Sequence, residues 1–173
     1  MREIRFFIRE EPHGFLSNFE RTPIVIGSVL YQTNEHYYQS QKAINDTIRA
    51  YIMNAPNATI AMVLGRELEH NKYLKKHCKP NWEEIKLNIM LNGLRHKFKN
   101  LELREKLLAT GNAILHENNP EDFYWAIADG TGKSMLGKLL MQVREEIRTK
   151  TIICAKEKKE FPRDEDWEEG ITN

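Results

Sequence analysis

The chain has 173 residues, of which 40% are hydrophobic and 29% are charged, and this composition suits one compact domain with a core of its own. Its 26 basic and 25 acidic residues leave a formal net charge of +1, which excludes recognition of a partner by overall charge. No apolar run reaches the roughly 18 residues of a membrane span, and the N-terminus is charged where a signal peptide is apolar. The two cysteines are too few for a disulfide scaffold. We therefore expect a cytoplasmic protein.

The first part of the chain is strand-like, and the middle is helical. Residues 4–8 and 24–31 are short β-prone runs that proline and glycine separate. From Asn34 onward the apolar residues follow a helical spacing, with Asn34 as the expected cap of the first helix and Gly111 as the expected end of the last. These helices are predicted over residues 35–44, 59–68, 82–98 and 101–110.

The second half begins with two more predicted strands, over residues 113–117 and 123–127, on either side of a turn at residues 118–120. A loop then leads into a final helix whose apolar residues recur every three or four positions, as on a core-facing surface. Residues 156–173 carry four basic and seven acidic residues and few apolar ones, so we expect a mobile, charged C-terminal tail.

The first candidate for chemistry is the start of the helix at Asn34. Glu35 is followed by Gln39 and Lys42, four and seven positions further on, so the three share one stripe of the helix. The positive end of the helix dipole favours the ionised form of Glu35, which suits a base or a group that stabilises positive charge. The alternative is an ordinary surface stripe.

A second candidate is Asp122, an acid that directly precedes three aromatic residues. In a strand, Phe123 and Trp125 lie on one face, and Asp122 and Tyr124 lie on the other. An acid beside flat aromatic surface is what cleavage of a ribosyl N-glycosidic bond requires, because a carboxylate stabilises the oxocarbenium-like transition state and a ring holds the base. The alternative is a turn cap before a core strand.

Other motifs are weaker. Gly132-Lys133-Ser134 is not a phosphate-binding P-loop, because Ile127 stands where the first glycine belongs. The histidines lack metal-ligand spacing, so we predict no metal and no other cofactor. The segment from Lys72 to Lys106 has ten basic and four acidic residues, which fits either a nucleic-acid contact or a solvated face.

Taken together, motifs in a fixed order from about residue 14 to residue 148 resemble the NADAR superfamily, also described as YbiA-like, whose name refers to NAD and ADP-ribose. The matching pieces are Gly14 to Phe19; Thr33 with residues 35–39; Lys42-Ala43; Leu64 to Arg66; Trp82 with Lys86 and Met90; Lys97-Phe98; Leu107 to Gly111; Leu115 and Glu117; Asp122 and Trp125; and Leu136 to Arg144.

The resemblance implies a single compact, mainly helical α+β domain over residues 1–155, with a few short N-terminal and central strands. It also implies a hydrolase that cleaves N-glycosidic bonds of ribose, either in ADP-ribosylated guanine of nucleic acid or in ribosylamino intermediates of riboflavin synthesis. The expected catalytic residues are Glu35, on the ribose side, and Asp122, which activates water, although the reverse assignment is open. The expected substrate-binding residues are Trp125, Trp82, Lys42, Asn18 and Arg66.

The chain departs from the family pattern beside the expected pocket. The usual W-G-x-G is replaced by Trp125-Ala126-Ile127-Ala128, and Ser134 stands where asparagine is common. Because these changes add bulk, a binding module for ADP-ribose or NAD without turnover is the alternative of another class. Both acids are retained, which favours the enzyme.

Overall fold

A computed structural model of the protein describes residues 2–7 and 12–160, with side chains to residue 153. The fold is α+β and mainly helical, which confirms the expected class. In chain order its elements are β1 (Glu3–Phe6), β2 (Ile24–Ile26), β3 (Val29–Tyr31), α1 (Asn34–Ser40), α2 (Asp46–Met53), α3 (Ala58–His70), α4 (Trp82–Lys97), α5 (Leu101–Ala109), β4 (Ile114–Glu117) and α6 (Met135–Glu160).

The strands form two small pairs. β1 and β4 are parallel neighbours although more than a hundred residues separate them, and their register places Phe6 opposite Glu117. The predicted run over residues 24–31 is a hairpin, in which β2 and β3 are antiparallel. Gly27 makes the turn with a φ of 63°, a left-handed conformation that glycine adopts without strain.

Helix α1 lies at the centre of the molecule, packed against α2, α3 and α4. All seven of its residues are buried, polar ones included. Two glycines allow this close packing: a Cβ at Gly65 of α3 would overlap the Gln39 side chain, and a Cβ at Gly93 of α4 would overlap that of Asn34. The polar side chains of α1 are therefore held within the fold rather than exposed on a surface stripe.

The main hydrophobic core lies between α4, α6 and the β1–β4 pair. On α6, Leu136 and Leu140 are fully buried and Val143 is 2% exposed, which confirms the predicted core-facing stripe. Among the described residues no helix is long and apolar enough to cross a membrane.

Several local predictions were wrong. The cap of α1 is Thr33 rather than Asn34, because the Thr33 hydroxyl accepts the hydrogen bond from the backbone N–H of His36. Helix α2 was not predicted at all. Residues 123–127 form turns rather than a strand, because the backbone there bonds to residues 132–136 and to the Asp122 side chain.

The predicted charged tail begins inside a helix, since the backbone of α6 continues to Glu160. Residues 161–173, the rest of that prediction, lie outside the described part of the chain.

Candidate active site

A cavity of about 870 Å³ opens beside α1. Its walls come from α1, α3, α4, the loop before β2 and the segment from Glu117 to Trp125. Six of the seven candidate residues line it, which brings together positions from four separate parts of the sequence. They are Asn18, Glu35, Lys42, Arg66, Asp122 and Trp125.

Glu35 lies in the first turn of α1 and is 5% exposed. Its carboxylate accepts a hydrogen bond from Gln39 Nε2 at 2.7 Å, and its backbone N–H donates to the Asn18 carbonyl at 3.1 Å. Burial raises the pKa of Glu35, which the Gln39 hydrogen bond and the charges of Lys42 and Arg66 partly counteract. The preference for the ionised form that was expected from the helix dipole is thus opposed by desolvation, and the Gln39 hydrogen bond and the two cations act in favour of the carboxylate.

Asp122 is held by backbone amides. Its Oδ1 accepts hydrogen bonds from the N–H groups of Tyr124, at 2.9 Å, and Trp125, at 2.7 Å. Two such bonds fix the position of the carboxyl group, and they explain why this stretch turns instead of forming a strand. Within the described chain, no group donates a hydrogen bond to the second oxygen, Oδ2, which leaves it available in the cavity.

Another carboxyl group of the cavity lining, beside those of Glu35 and Asp122, was given no role by the sequence. Glu117, at the end of β4, was matched as part of the family pattern but given no role. Burial raises the pKa of Glu117 to about 8, and the charges of Asp122 and Glu35 raise it in the same direction. The only sequence signal was its alternation with the buried Leu115, which places both side chains on one face of the strand.

Lys42 is a buried cation below the cavity. Its side chain is 4% exposed, and its Nζ lies 2.5 Å from Glu69 Oε2 and 3.4 Å from the Gly65 carbonyl. The same Nζ lies 5.7 Å from the centroid of the Tyr38 ring and 5.6 Å from that of Trp82. The ion pair with Glu69, a residue to which the sequence gave no role, fixes the ammonium group near Glu35.

The aromatic wall differs from the expected one. Trp125 lines the cavity and meets Tyr38 edge to face at 5.4 Å, and Tyr124 meets Trp125 in the same way at 5.1 Å. Trp82 is 3% exposed, packs against Tyr38 at 5.1 Å and is not among the residues that line the cavity. Trp82 thus supports the wall from the core in this structure, and its contact with substrate stays a prediction.

The basic segment 72–106 does not form one continuous cationic face. Lys97, named in the sequence as part of that segment, is 1% exposed and donates to the Ser17 carbonyl at 2.6 Å, and burial lowers its pKa to about 7. Arg95 pairs with Glu146, and Lys106 pairs with Glu102. Lys97 is thus unavailable to a partner, and the exposed charges are partly neutralised.

Within the described part of the chain, no three His, Cys, Asp or Glu side chains are grouped so that they could hold a metal ion. The cavity instead combines acids in distinct environments, a buried cation and an aromatic wall. This combination suits polar bond cleavage on a sugar that carries a flat base.

Comparison with known proteins agrees with the sequence motifs. Residues 6–148 match the model of the NADAR domain. The chain belongs to the NADAR family. It is 38% identical over 146 residues to the N-glycosidase YbiA of Escherichia coli, an alignment that covers 83% of this chain and 88% of the relative.

Other NADAR relatives carry two kinds of name. An N-glycosidase of Nostoc punctiforme is 37% identical over 150 residues, covering 84% of this chain and 92% of that protein. A riboflavin biosynthesis protein of Vibrio vulnificus is 35% identical over 147 residues, covering 84% of this chain but 38% of that longer protein. The NMR structure of E. coli YbiA has a TM-score of 0.78 at 35% identity and covers 87% of this chain and 88% of its own.

The departures from the NADAR pattern lie behind the aromatic wall. Ala126 is fully buried, and Ala128 and Ser134 have left-handed backbones, with φ of 47° and 50°. Glycine and asparagine adopt that conformation more readily than alanine and serine. Ala128 and Ser134 thus adopt this backbone at a cost in strain, and the Ser134 hydroxyl forms a hydrogen bond with His116 Nδ1 at 2.8 Å.

Proposed function

We propose that this NADAR N-glycosidase hydrolyses the bond between ribose and a nucleobase nitrogen, with ADP-ribosylated guanine of nucleic acid as its favoured substrate. The observation that carries the proposal is that Glu35 and Asp122 line one cavity in two different environments. The names of the E. coli and Nostoc punctiforme relatives, both N-glycosidases, support the reaction class.

The two acids take different roles in this reaction. As the bond between C1′ and the base nitrogen breaks, positive charge develops on the sugar, and the carboxylate of Glu35 stabilises that charge. Burial raises the pKa of Glu35, and the Gln39 hydrogen bond with the charges of Lys42 and Arg66 acts against that rise, in favour of the carboxylate that this role requires. Asp122, whose Oδ1 is fixed by two amides, accepts a proton from the attacking water at Oδ2.

The remaining residues bind and orient the substrate. Trp125 offers a ring for the base, and Tyr38 supports that ring from below. Asn18 holds the backbone of Glu35 through its own carbonyl group. Arg66 is an exposed cation on the cavity wall, where it suits a substrate phosphate.

The size of the cavity favours the larger substrate. Sites for small molecules usually measure about 300 to 1,000 Å³, and a cavity of about 870 Å³ has room for a nucleoside diphosphate sugar together with its base. A ribosylaminopyrimidine phosphate would leave part of the cavity to water. It is the second candidate, because relatives from Vibrio vulnificus and Zea mays are named riboflavin biosynthesis proteins.

The proposal is tested by product release. The protein is incubated separately with an oligonucleotide carrying ADP-ribosylated guanosine and with a ribosylaminopyrimidine phosphate, and the freed sugar and base are measured by mass spectrometry. Glu35→Gln and Asp122→Asn are each expected to slow release by at least about a hundredfold, with unchanged circular dichroism. Tight binding without any product would instead support a non-catalytic module, and normal rates in both folded variants would refute the assigned roles.

Nucleic acid as a partner has a separate test. Lys75 and Lys99 are exposed, so reversing both charges is expected to weaken activity on the modified oligonucleotide and to make its loss with salt less steep, because fewer phosphate contacts remain. Hydrolysis of a mononucleotide-sized substrate is expected to stay the same. Equal effects on both substrates, or none on either, would exclude this segment as a nucleic-acid contact.

A further inference from the structure

Glu117 is held rigidly at the end of β4. Its carbonyl accepts a hydrogen bond from Ile127 N–H at 2.9 Å, and the following residue, Asn118, donates to the Phe6 carbonyl at 2.8 Å. The neighbouring strand β1 fixes the register, with Phe6 opposite Glu117. The side chain shares its strand face with the fully buried Leu115 and lines the cavity, so rigid strand backbone holds its carboxyl group at the cavity wall.

The surroundings of Glu117 differ from those of the other two acids. Glu35 has a hydrogen bond from Gln39 and two facing cations, Lys42 and Arg66. Asp122 has two backbone N–H donors. No described residue donates a hydrogen bond to the carboxyl group of Glu117, and the charges that act on it are those of the two other acids.

The charges of Asp122 and Glu35 raise the pKa of Glu117, because like charges within one cavity disfavour a further one. A proton shared among these acids resides on the group with the fewest donors and cations, which is Glu117. Its pKa of about 8 agrees with this, since the group is then largely protonated at neutral pH. Burial also raises the pKa of Glu35, but Gln39, Lys42 and Arg66 all act in the opposite direction there.

We infer that Glu117 is the general acid of this site, which protonates the departing nucleobase; the inference rests on the proposed N-glycosidase function. The bond between C1′ and nitrogen breaks, and its electron pair stays on the base, which takes the proton from the Glu117 carboxyl group. Water forms the new C1′–O bond and gives its proton to Asp122. The products are the unmodified base, which stays in its oligonucleotide when the substrate is nucleic acid, and the free sugar, and solvent returns Glu117 and Asp122 to their starting protonation states.

The first test compares two leaving groups. Glu117→Gln is expected to slow release of a purine or pyrimidine base by about a hundredfold to a thousandfold, because general acid catalysis is lost. It is expected to slow hydrolysis of a nitrophenyl riboside by less than about tenfold, because that leaving group departs without a proton. The wild-type rate of base release is expected to fall above about pH 8, and that alkaline limb is expected to vanish in the variant.

The matched control is Glu105→Gln on α5, the same substitution at an exposed residue far from the cavity lining, which is expected to leave both rates unchanged. Equal losses on both leaving groups in Glu117→Gln, with normal folding, would overturn the inference. An unchanged alkaline limb would overturn it as well.

The second test does not depend on turnover. Infrared spectroscopy of the protein at neutral pH is expected to show the carbonyl stretch of a protonated carboxylic acid, which disappears in Glu117→Gln and persists in Glu35→Gln. Absence of the band, or its persistence in Glu117→Gln, would overturn the inference even if the protein hydrolyses its substrate. If the band behaves as expected and no riboside is cleaved, the proposed function fails while the protonated state of Glu117 stands.

Discussion

The ion pair between Lys42 and Glu69 makes a sharp prediction about stability. Glu69→Gln removes the carboxylate that lies 2.5 Å from Lys42 Nζ and leaves a buried ammonium group with one carbonyl, that of Gly65 at 3.4 Å, and two aromatic rings. Breaking one side of a fully buried pair costs about 3 to 5 kcal/mol. Because the Glu69 side chain is 22% exposed, water partly compensates, and we expect a loss of about 2 to 3 kcal/mol.

The assay is urea denaturation at neutral pH. Glu67→Gln on the same helix is the matched control, because Glu67 is exposed and its expected effect is within about 0.5 kcal/mol. In a double-mutant cycle, Lys42→Met is expected to recover most of the loss caused by Glu69→Gln, since no buried charge remains to be compensated. A loss below about 1 kcal/mol for Glu69→Gln, or strictly additive effects, would refute the view that Lys42 is a buried cation held by Glu69.

Further outcomes are expected from the same structure. Trp82→Ala is expected to lower the free energy of unfolding by about 3 to 5 kcal/mol in a thermal melt, because the ring is in the core. Trp125→Ala is expected to weaken binding of ADP-ribosylated substrate by about 1 to 3 kcal/mol in calorimetry, because its ring lines the cavity. Ala128→Gly is expected to stabilise the fold by about 1 kcal/mol in urea, because it relieves the left-handed alanine. The fold favours protonated Glu117, so the free energy of unfolding of the wild type is expected to fall as the pH rises from the ordinary carboxyl range through about 8. The Glu117→Gln variant is expected to lack this fall.

Each of these has an outcome that contradicts it. An unchanged melting temperature for Trp82→Ala would show that the ring does not stabilise the core and would favour a role on the cavity wall. Unaltered binding of substrate by Trp125→Ala would show that the Trp125 ring does not contact the substrate. A destabilised Ala128→Gly would mean that the loop is not strained, and the same alkaline loss of stability in wild type and Glu117→Gln would assign it to another group.

The sequence predicted those parts of the site that depend on local spacing. Glu35 lies on the short helix α1 and Lys42 in the turn directly after it, although the helix was predicted to include both, and Asp122 lies directly before its aromatic neighbours, so their proximity was visible in the chain itself. The apolar stripe of α6 was visible for the same reason, because its period is set by helix geometry alone. The burial of the whole of α1 was not visible in the sequence, because it depends on Gly65 and Gly93, two glycines on other helices.

The environment of Glu117 arises from contacts distant in sequence. β1 and β4 pair across more than a hundred residues, and the acids that raise the pKa of Glu117 come from α1 and from the turn after β4. A residue with no motif of its own gives no local sign of this. The prediction of a strand over residues 123–127 was wrong for a different reason. The alternation of residue types along the segment does not show that the Asp122 side chain accepts hydrogen bonds from the backbone two and three residues later.

Hydrolysis at this site requires that water attacks the sugar carbon that bears the base. Hydrolysis of an ADP-ribosylated guanosine oligonucleotide in isotopically labelled water, followed by mass spectrometry of both products, measures this in one experiment. The expected result is unmodified guanine in the oligonucleotide and free ADP-ribose with one labelled oxygen at C1′, in wild type but not in Asp122→Asn. Bound substrate without release, or release of ADP-ribose without the label, would contradict hydrolysis of the N-glycosidic bond at this site.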